Sequence, residues 1–309
     1  FNYEIAMHQT CANTDEYNMA GQTACGWLSW LVRKPYDILK SNYLHMKKEI
    51  GYIGLGKMGK NMVVRLREHG WDVVAYDTAK ENVAEVEQVG AHASSSVQDL
   101  VSKLSSPRVV WVMVPHQAVD AVLNEVTLFL EKGDIVIDGG NSPYQESIRR
   151  GKELSAKGVE FLDIGVSGGP GGSKNGACMM VGGEKKIFEM LDEAGFFKDT
   201  CVSGGWGYMG ARGAGHYVKM VHNGIEYGMM QSIAEGFDLM RHSKEFDLDL
   251  KNISNVYSHG SVVTSSLVSW MRDAYEKYGI DLKEISGKAS ASGEGKWAVE
   301  TGDKEGVLM

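Results

Sequence analysis

Apolar and polar residues recur at helical spacing over one long segment, residues 213–240, which is the longest such pattern in the chain. The pattern predicts a helix of about 28 residues, roughly 40 Å in length. Its apolar side consists of Val218, Val221, Ile225, Met229 and Ile233. At about 100° per residue, the polar residues fall within an arc of about 140° on the other side. They are Lys219, His222, Asn223, Glu226 and Tyr227.

The polar side of this helix holds the groups that move protons at a bound substrate. Lys219 is a candidate base, Glu226 a candidate acid, and Asn223 an amide that can orient a ligand. The alternative is a solvated face, which is what most charged helix stripes are. Two features favour a site: glycines near the helix start predict close backbone approach, and the face carries Asn223 and Tyr227 rather than further charge.

A short apolar strand followed by a glycine motif begins at Ile50. After the strand come a GxGxxG motif, a helix over Asn61–Glu68 and a strand over Asp72–Tyr76, with Asp77 placed 18 residues after the third glycine. This order predicts a dinucleotide-binding βαβ unit whose helix N-terminus receives the pyrophosphate. The predicted cofactor contacts are Gly54, Leu55, Gly56, Lys57, Met58, Gly59 and Asp77.

Asp77 bears on the choice of cofactor. A carboxylate at this position accepts hydrogen bonds from the ribose 2′-hydroxyl and repels a 2′-phosphate. No arginine follows it, although Lys80 can offset part of the repulsion. The sequence therefore favours NAD, with NADP as the alternative.

Helices and apolar strands continue to alternate after this unit. Helices are predicted over 81–88, 97–104, 118–130 and 144–157, and strands over 109–114, 135–138 and 160–163. The order predicts an α/β fold with a Rossmann-type, doubly wound sheet. Such sheets bind ligands at the carboxyl ends of their strands, so further cofactor contacts are predicted at Val114, Pro115 and Asn141.

Residues 165–183 contain eight glycines. A flexible linker is the usual interpretation of such a composition. However, Cys178–Val181 has a strand pattern, which puts the glycines inside a folded domain. The backbone N–H groups of Ser167, Gly168 and Gly169 can then form a nest for a substrate carboxylate or hydroxyl. A helix over 184–193 and a last strand over 196–202 are predicted to follow.

No strand pattern occurs beyond residue 213, which predicts an all-α C-terminal domain. Its further helices are predicted over Leu250–Tyr257, Val262–Tyr278 and Leu282–Ile285, and residues 292–297 are predicted to form a polar glycine turn that presents Lys296.

The predicted domains are an NAD-binding domain over residues 46–212 and an α-helical substrate domain over residues 213–309. Residues 1–45 show no steady hydrophobic periodicity. Met46 is followed by a short charged segment and an apolar strand, which is the pattern of a natural N-terminus. We interpret residues 1–45 as an extension or artefact outside the core fold; the alternative is a genuine N-terminal subdomain.

The composition indicates which classes of partner and which cellular compartment to expect. A net charge of −8 gives no reason to expect nucleic acid or an anionic membrane as a partner, so an anionic substrate needs a local cationic pocket. The four cysteines and nine histidines show no metal-ligand spacing, and no metal site is predicted. So few cysteines indicate reduced thiols and a cytoplasmic protein, and the apolar run near the start of the chain is far shorter than a membrane span.

Five stretches of the chain together resemble the decarboxylating 6-phosphogluconate dehydrogenase family. They are GYIGLGKMG at 51–59, IDGGNS at 137–142, SGGPGGSKNGACMMVGG at 167–183, GAGHYVKMVHNGIEYGMMQ at 213–231 and SGEGKWAVE at 292–300. GMMQ at 228–231 is similar to the shorter bacterial type, which often uses NAD. The resemblance implies an oxidoreductase of the pentose phosphate pathway and gluconate utilization that forms a homodimer or a higher homo-oligomer.

The resemblance implies roles for two helix residues. Lys219 would act as general base on the C3 hydroxyl of 6-phosphogluconate, with a pKa lowered by burial between the domains. The 3-keto acid would then lose carbon dioxide while protonated Lys219 polarises the ketone. Glu226 would protonate C1 of the enediol to give ribulose 5-phosphate.

The resemblance also implies a set of substrate contacts. Asn141, His222 and Asn223 would hold the hydroxyls and the carboxylate of the substrate. Ser167, Gly168 and Gly169 would bind the other end of its C1–C3 region. Tyr227 and Lys296 would reach the phosphate.

The chain departs from the family pattern in three places. Ala298 stands where threonine is usual, and Thr264 lies where the shorter type often has arginine. The family also continues into helices beyond the last residue here, Met309. We therefore expect a truncated substrate and dimerisation domain with impaired activity.

Two alternative functions remain open. Another β-hydroxyacid dehydrogenase, such as a 3-hydroxyisobutyrate-type enzyme, shares GLGxMG and the helix lysine. It has two asparagines after the lysine, where this chain has His222-Asn223, and it releases no carbon dioxide. A non-catalytic dinucleotide-binding protein would bind NAD without producing NADH from 6-phosphogluconate.

Overall fold

The computed structural model describes residues 47–288 and 293–309. Residues 48–309 form one compact unit. The predicted extension over residues 1–45, and its alternative of a subdomain, lie outside the described residues. The division into domains at residue 213 stays a prediction.

An eight-stranded sheet forms the centre of this unit, in the order β3-β2-β1-β4-β5-β6-β7-β8. Neighbouring strands are parallel except for β6 and β7, which are antiparallel. The first six strands in this order, β3-β2-β1-β4-β5-β6, have the arrangement of a doubly wound dinucleotide-binding sheet. The predicted α/β class is therefore confirmed. The strands are β1 Glu49–Ile53, β2 Asp72–Tyr76, β3 His92–Ala93, β4 Val109–Val112, β5 Ile135–Asp138, β6 Glu160–Ser167, β7 Ala177–Gly183 and β8 Cys201–Gly210.

Helices connect the strands and then form the C-terminal part of the described chain. Those between strands are α1 Lys57–Glu68, α2 Lys80–Glu87, α3 Val97–Ser102, α4 His116–Val126, α5 Tyr144–Ala156, α6 Gly169–Asn175, α7 Lys185–Glu193 and α8 Phe196–Thr200. The later helices are α9 Ala214–Arg241, α10 Leu250–Tyr257, α11 Ser266–Tyr278 and α12 Glu294–Glu305. Residues 213–288 and 293–309 contain no strand, which confirms the all-α prediction for that part of the described chain.

The central strands are apolar throughout because helices cover both of their faces. All four residues of β4 are buried, for example, and Trp111 within it has no exposed surface. Its indole stacks on Tyr52 of β1 with ring centroids 5.9 Å apart. This core fixes the carboxyl ends of β1, β4 and β5 relative to one another.

The predicted strand over residues 196–202 is wrong at its start. Phe196–Thr200 is the helix α8, and β8 begins only at Cys201. Asp199 in this helix accepts hydrogen bonds from Trp71 Nε1 at 2.9 Å and from Lys48 Nζ at 2.7 Å. Both phenylalanines of α8 are fully buried, so tertiary packing rather than local periodicity decides the conformation here.

Two predictions in the C-terminal part are also wrong. Leu282–Ile285 forms turns instead of a helix. The predicted glycine turn around Lys296 is the first turn of helix α12, which begins at Glu294 after Gly293 in a left-handed conformation. In addition, the glycine-rich segment contains the short helix α6, which sequence analysis missed.

The long helix α9 is anchored at its start by a buried carboxylate. Asp163 of β6 has no exposed surface, and it accepts hydrogen bonds from the backbone N–H of Gly213 at 2.7 Å and of His216 at 2.9 Å. Burial raises the pKa of Asp163, while His216 and these two N–H groups act in the opposite direction. The two bonds satisfy N–H groups that a helix start otherwise leaves unpaired.

Candidate active site

A single cleft of about 1500 Å³ runs between the glycine motif, the carboxyl ends of the central strands and the polar side of α9. Most predicted site residues line it: Gly56, Lys57, Met58, Gly59, Val114, Pro115, Asn141, Ser167, Gly168, Gly169, Lys219, His222, Asn223, Glu226 and Tyr227. The predicted residues Gly54, Leu55, Asp77 and Lys296 are not part of its lining. The structure therefore brings the predicted cofactor and substrate positions into one space.

The glycine motif has the geometry that a dinucleotide requires. A Cβ on Gly54 would lie 2.3 Å from the Met113 carbonyl oxygen, and one on Gly59 would lie 2.1 Å from the Gly54 carbonyl oxygen. A Cβ on Gly56 would meet nothing within 4 Å, because that position faces the open cleft. The first and third glycines thus allow close packing, and the second leaves room for a pyrophosphate at the start of α1.

The N-terminus of α1 is open to an anion. No side chain caps it and its first turn contains no acidic residue. Its free N–H groups and the positive end of the helix dipole therefore favour a phosphate group. These residues fit a nicotinamide dinucleotide.

Asp77 holds the glycine motif in place from the end of β2. One carboxylate oxygen accepts a hydrogen bond from the Leu55 N–H at 2.6 Å, and the other accepts one from the Ala79 N–H at 2.8 Å. Each carboxylate oxygen has a second acceptor position. Asp77 can thus accept a ribose hydroxyl without releasing the loop.

The loop that carries Asn141 is fixed by a buried aspartate, Asp138, at the end of β5. Asp138 accepts hydrogen bonds from the Ser142 hydroxyl at 2.8 Å and from the Gly140 N–H at 3.2 Å, and the Arg150 guanidinium lies 3.3 Å away. This network presents Asn141 to the cleft.

Lys219 is buried at the wall of the cleft, with 5% of its surface exposed. Its Nζ donates a hydrogen bond to Asn223 Oδ1 at 2.9 Å. Burial lowers the pKa of Lys219, and electrostatic interactions with Glu294, Glu226 and Cys178 oppose that shift, in decreasing order. The direction of the shift is the one that a general base requires, since a neutral amine accepts a proton.

His222 connects α9 to the end of β6. Its Nε2 lies 3.0 Å from the Ser167 hydroxyl and its Nδ1 lies 2.9 Å from Asn223 Oδ1. Because Asn223 Oδ1 is an acceptor, the network assigns the proton of a neutral imidazole to Nδ1 and leaves Nε2 to accept from Ser167. The same Nδ1 lies 3.7 Å from a Glu226 carboxylate oxygen.

Glu226 and Tyr227 lie further along the same wall. The Glu226 side chain is 32% exposed, so its carboxyl group reaches both the cleft and solvent. Tyr227 lies against α12, where a Cβ on Gly295 would come within 2.5 Å of its ring. An acid and a hydroxyl are thus available two helical turns from Lys219.

Glu294 is a residue of this site that was not among the predicted site residues. Glu294 is 2% exposed, lines the cleft and accepts a hydrogen bond from Asn223 Nδ2. The family-like stretch at 292–300 contains Glu294, but the contact with Asn223 joins residues 71 positions apart, which helical periodicity does not reveal. Trp270 of α11 also lines the cleft and was not among the predicted site residues.

Lys296 lies apart from the cleft lining. Its side chain is 77% exposed and its Nζ is 3.5 Å from a Glu300 carboxylate oxygen. Its predicted contact with a substrate phosphate stays a prediction.

Residues 47–288 and 293–309 contain no group of three or more His, Cys, Asp or Glu side chains placed to hold a metal ion. Within the same ranges, no helix combines the length and the apolar character that a bilayer crossing needs.

Two family models match the chain in succession. The NAD binding domain of 6-phosphogluconate dehydrogenase matches residues 49–200, and the C-terminal domain of 6-phosphogluconate dehydrogenase matches residues 215–308.

Individual relatives agree with these models. The NAD(+)-dependent, decarboxylating 6-phosphogluconate dehydrogenase of Haloferax volcanii is 40% identical over 82% of this chain and 83% of its own length. The decarboxylating 6-phosphogluconate dehydrogenase 1 of Saccharomyces cerevisiae is 38% identical over 82% of this chain, which spans only 54% of the yeast protein. The structure of Plasmodium falciparum 6-phosphogluconate dehydrogenase, determined alone, with NADP+ and with 6-phosphogluconate, has a TM-score of 0.75 and 33% identity over 84% of this chain and 58% of its own.

Proposed function

This chain belongs to the 6-phosphogluconate dehydrogenase family, and on that premise we propose that it converts 6-phosphogluconate to ribulose 5-phosphate and carbon dioxide with reduction of NAD. One observation carries the proposal. A buried lysine, Lys219, and a carboxyl group, Glu226, lie on one helix face in the same cleft as the glycine motif. This arrangement supports the assignment of Lys219 as base and Glu226 as acid beside a bound nicotinamide dinucleotide.

Lys219 carries the first proton transfer in this proposal. As a neutral amine it accepts the proton of the C3 hydroxyl, and burial favours the neutral form. When bound, NAD supplies the two-electron acceptor for oxidation of C3. The protonated Lys219 then donates to the ketone oxygen, so that the C1–C2 bonding electrons can move into an enediol as carbon dioxide leaves.

Glu226 carries the last proton transfer. Its carboxyl group protonates the carbon that lost carbon dioxide, which becomes C1 of ribulose 5-phosphate, while Lys219 takes back the hydroxyl proton of the neighbouring enediol carbon to form the ketone. The partial exposure of Glu226 allows it to regain a proton from solvent. Lys219 returns to its neutral state by releasing a proton before the next cycle.

The neighbouring polar groups would hold the sugar acid. His222, Asn223 and Asn141 are assigned to the hydroxyls and the carboxylate. Ser167, Gly168 and Gly169 are assigned to the other end of the C1–C3 region. In support, all six line the cleft around Lys219. Tyr227 and Lys296 are proposed for the phosphate.

NAD is the proposed cofactor because of the charge of Asp77, which disfavours a 2′-phosphate. The name of the Haloferax volcanii relative specifies NAD(+), whereas the Plasmodium falciparum structure contains NADP+. The two relatives therefore differ in cofactor, and the Asp77 carboxylate of this chain is what supports the proposal of NAD.

A cytoplasmic homo-oligomer is also proposed. The described cysteines, Cys178 and Cys201, are free thiols, which is typical of reducing compartments. Large apolar side chains are exposed on the C-terminal helices, among them Leu239 at 76% and Val256 at 56%. Burial of such side chains against a second copy would be favourable.

A steady-state assay with 6-phosphogluconate, run with NAD and with NADP and coupled to carbon dioxide capture, tests the proposed reaction. We expect equal amounts of NADH and carbon dioxide, and a higher kcat/KM with NAD. NADH formation without carbon dioxide would favour another β-hydroxyacid dehydrogenase. NAD binding without any NADH would favour a non-catalytic dinucleotide-binding protein.

A further inference from the structure

Glu294 connects helix α12 to the reactive face of α9. It is the first residue of α12 and lies 2% exposed in the wall of the cleft. Its carboxylate accepts a hydrogen bond from Asn223 Nδ2, and Asn223 Oδ1 in turn accepts one from Lys219 Nζ at 2.9 Å. The three side chains form a chain from α12 to the proposed base.

The chemistry of the three groups allows only one orientation of the Asn223 amide. An ionised carboxylate accepts hydrogen bonds but donates none, so the amide NH₂ must face Glu294. The amide oxygen then faces Lys219 and the His222 Nδ1, both of which can donate. A flipped amide would set its oxygen against the carboxylate and its NH₂ against the lysine, which is unfavourable on both sides.

Glu294 also acts on Lys219 through its charge. The titratable groups that face Lys219 are Glu226 and His222 from α9, Cys178 from β7 and Glu294 from α12. Burial lowers the pKa of Lys219, and several neighbouring groups raise it. Among these neighbours, Glu294 has the largest effect.

We propose that Glu294 is a positioning residue of this site: its carboxylate sets the orientation of the Asn223 amide that holds Lys219, and it lies one side chain away from the Lys219 amine. The inference rests on the proposed function for its catalytic consequence. The ammonium form is the one that polarises the 3-keto group, so Glu294 balances the two states that Lys219 must adopt in one cycle.

Two substitutions separate the two effects. Glu294→Gln keeps an acceptor oxygen for Asn223 Nδ2 but removes the charge. Glu294→Ala removes both. Glu305→Gln, an exposed position on the same helix, is the matched control. Thermal melting of each variant reports whether it folds.

Two measurements are made on each protein. The first is the pH dependence of kcat and kcat/KM with 6-phosphogluconate and NAD, together with the Kd for NAD. The second is the pH dependence of Lys219 acetylation by acetic anhydride, followed by mass spectrometry. Acetylation reports the protonation of the amine without any turnover.

We expect Glu294→Gln to move both pH curves to lower pH by roughly one unit, with kcat within a few-fold of wild type. We expect Glu294→Ala to lower kcat by about tenfold or more with an unchanged Kd for NAD, because Asn223 loses its fixed orientation. Glu305→Gln should match wild type in every measurement.

Unshifted pH curves in Glu294→Gln, or wild-type kcat in a folded Glu294→Ala, would overturn the proposal. Absence of turnover in the wild-type protein would reject the proposed function instead. In that case acetylation alone decides: a curve shifted by Glu294→Gln supports the effect of Glu294 on Lys219, and an unshifted curve rejects it.

Discussion

Gly165 of strand β6 lies directly against Lys219 of helix α9: a Cβ built on Gly165 would be 2.3 Å from the Lys219 Cβ. No larger residue fits at this position without moving the helix. The close approach, together with the Asp163 cap at the helix start, sets the depth at which Lys219 enters the cleft.

Gly165→Ala should therefore displace α9 and reduce both stability and turnover. Overpacking of this kind costs about 1–3 kcal/mol of unfolding free energy. Gly236→Ala is the control, since a Cβ at this exposed position of the same helix would meet nothing within 4 Å. We expect the control to gain up to about 1 kcal/mol, because alanine is the better helix former. Urea denaturation and steady-state kinetics check both, and a wild-type-like Gly165→Ala would contradict the packing described here.

Removal of either proton-transfer group should abolish most turnover. Lys219→Met and Glu226→Gln should each lower kcat by about 10²–10⁴-fold while NAD binding survives. Lys251→Met, an exposed lysine of α10, serves as the control for loss of a positive charge. Steady-state kinetics and NAD titration provide the measurement. Turnover near the wild-type level in Lys219→Met would rule out the proposed mechanism.

The pH dependence of kcat/KM should report the buried lysine. Burial disfavours the ammonium ion, so Lys219 loses its proton at a lower pH than the ordinary value of 10.5. If neutral Lys219 is the base in the free enzyme, kcat/KM rises with pH through this lowered pKa. A profile that falls as Lys219 loses its proton would exclude the neutral amine as base.

Asp163→Asn should destabilise the protein. The carboxylate accepts from two N–H groups at the start of α9, but an amide has only one acceptor oxygen, so one buried N–H would face an NH₂ group. The expected loss is about 1–3 kcal/mol. Asp247→Asn, at an exposed position, should leave stability unchanged. Chemical denaturation measures both, and equal stability of the two variants would show that the cap is dispensable.

Asp77→Asn should weaken the preference for NAD. The amide removes the negative charge that a ribose 2′-phosphate would meet, so the ratio of kcat/KM for NAD to that for NADP should fall by about tenfold or more. Because Asp77 also accepts from the Leu55 and Ala79 N–H groups, some loss with both cofactors is expected. An unchanged ratio would assign the preference to other residues.

The sequence by itself determined the elements whose signals are local and periodic. Strands Asp72–Tyr76 and Ile135–Asp138, helix Leu250–Tyr257 and the long helix over 214–241 agree with the predictions within a residue or two. The spacing of Lys219 and Glu226 placed both on one face, because helical periodicity converts sequence distance into direction. The glycine motif likewise carries its own geometry.

Only the tertiary structure decided which distant groups meet. Phe196 and Phe197 lie in a helix rather than a strand because Phe196 packs on Trp71 and Trp111 and Phe197 packs on Phe188. Glu294 joins the site because α12 returns to α9. The lowered pKa of Lys219 is also tertiary, since it depends on burial by other elements and on the charges that they bring. Periodicity reports which way a side chain points, whereas contacts across 71 residues of chain depend on the packing of the whole fold.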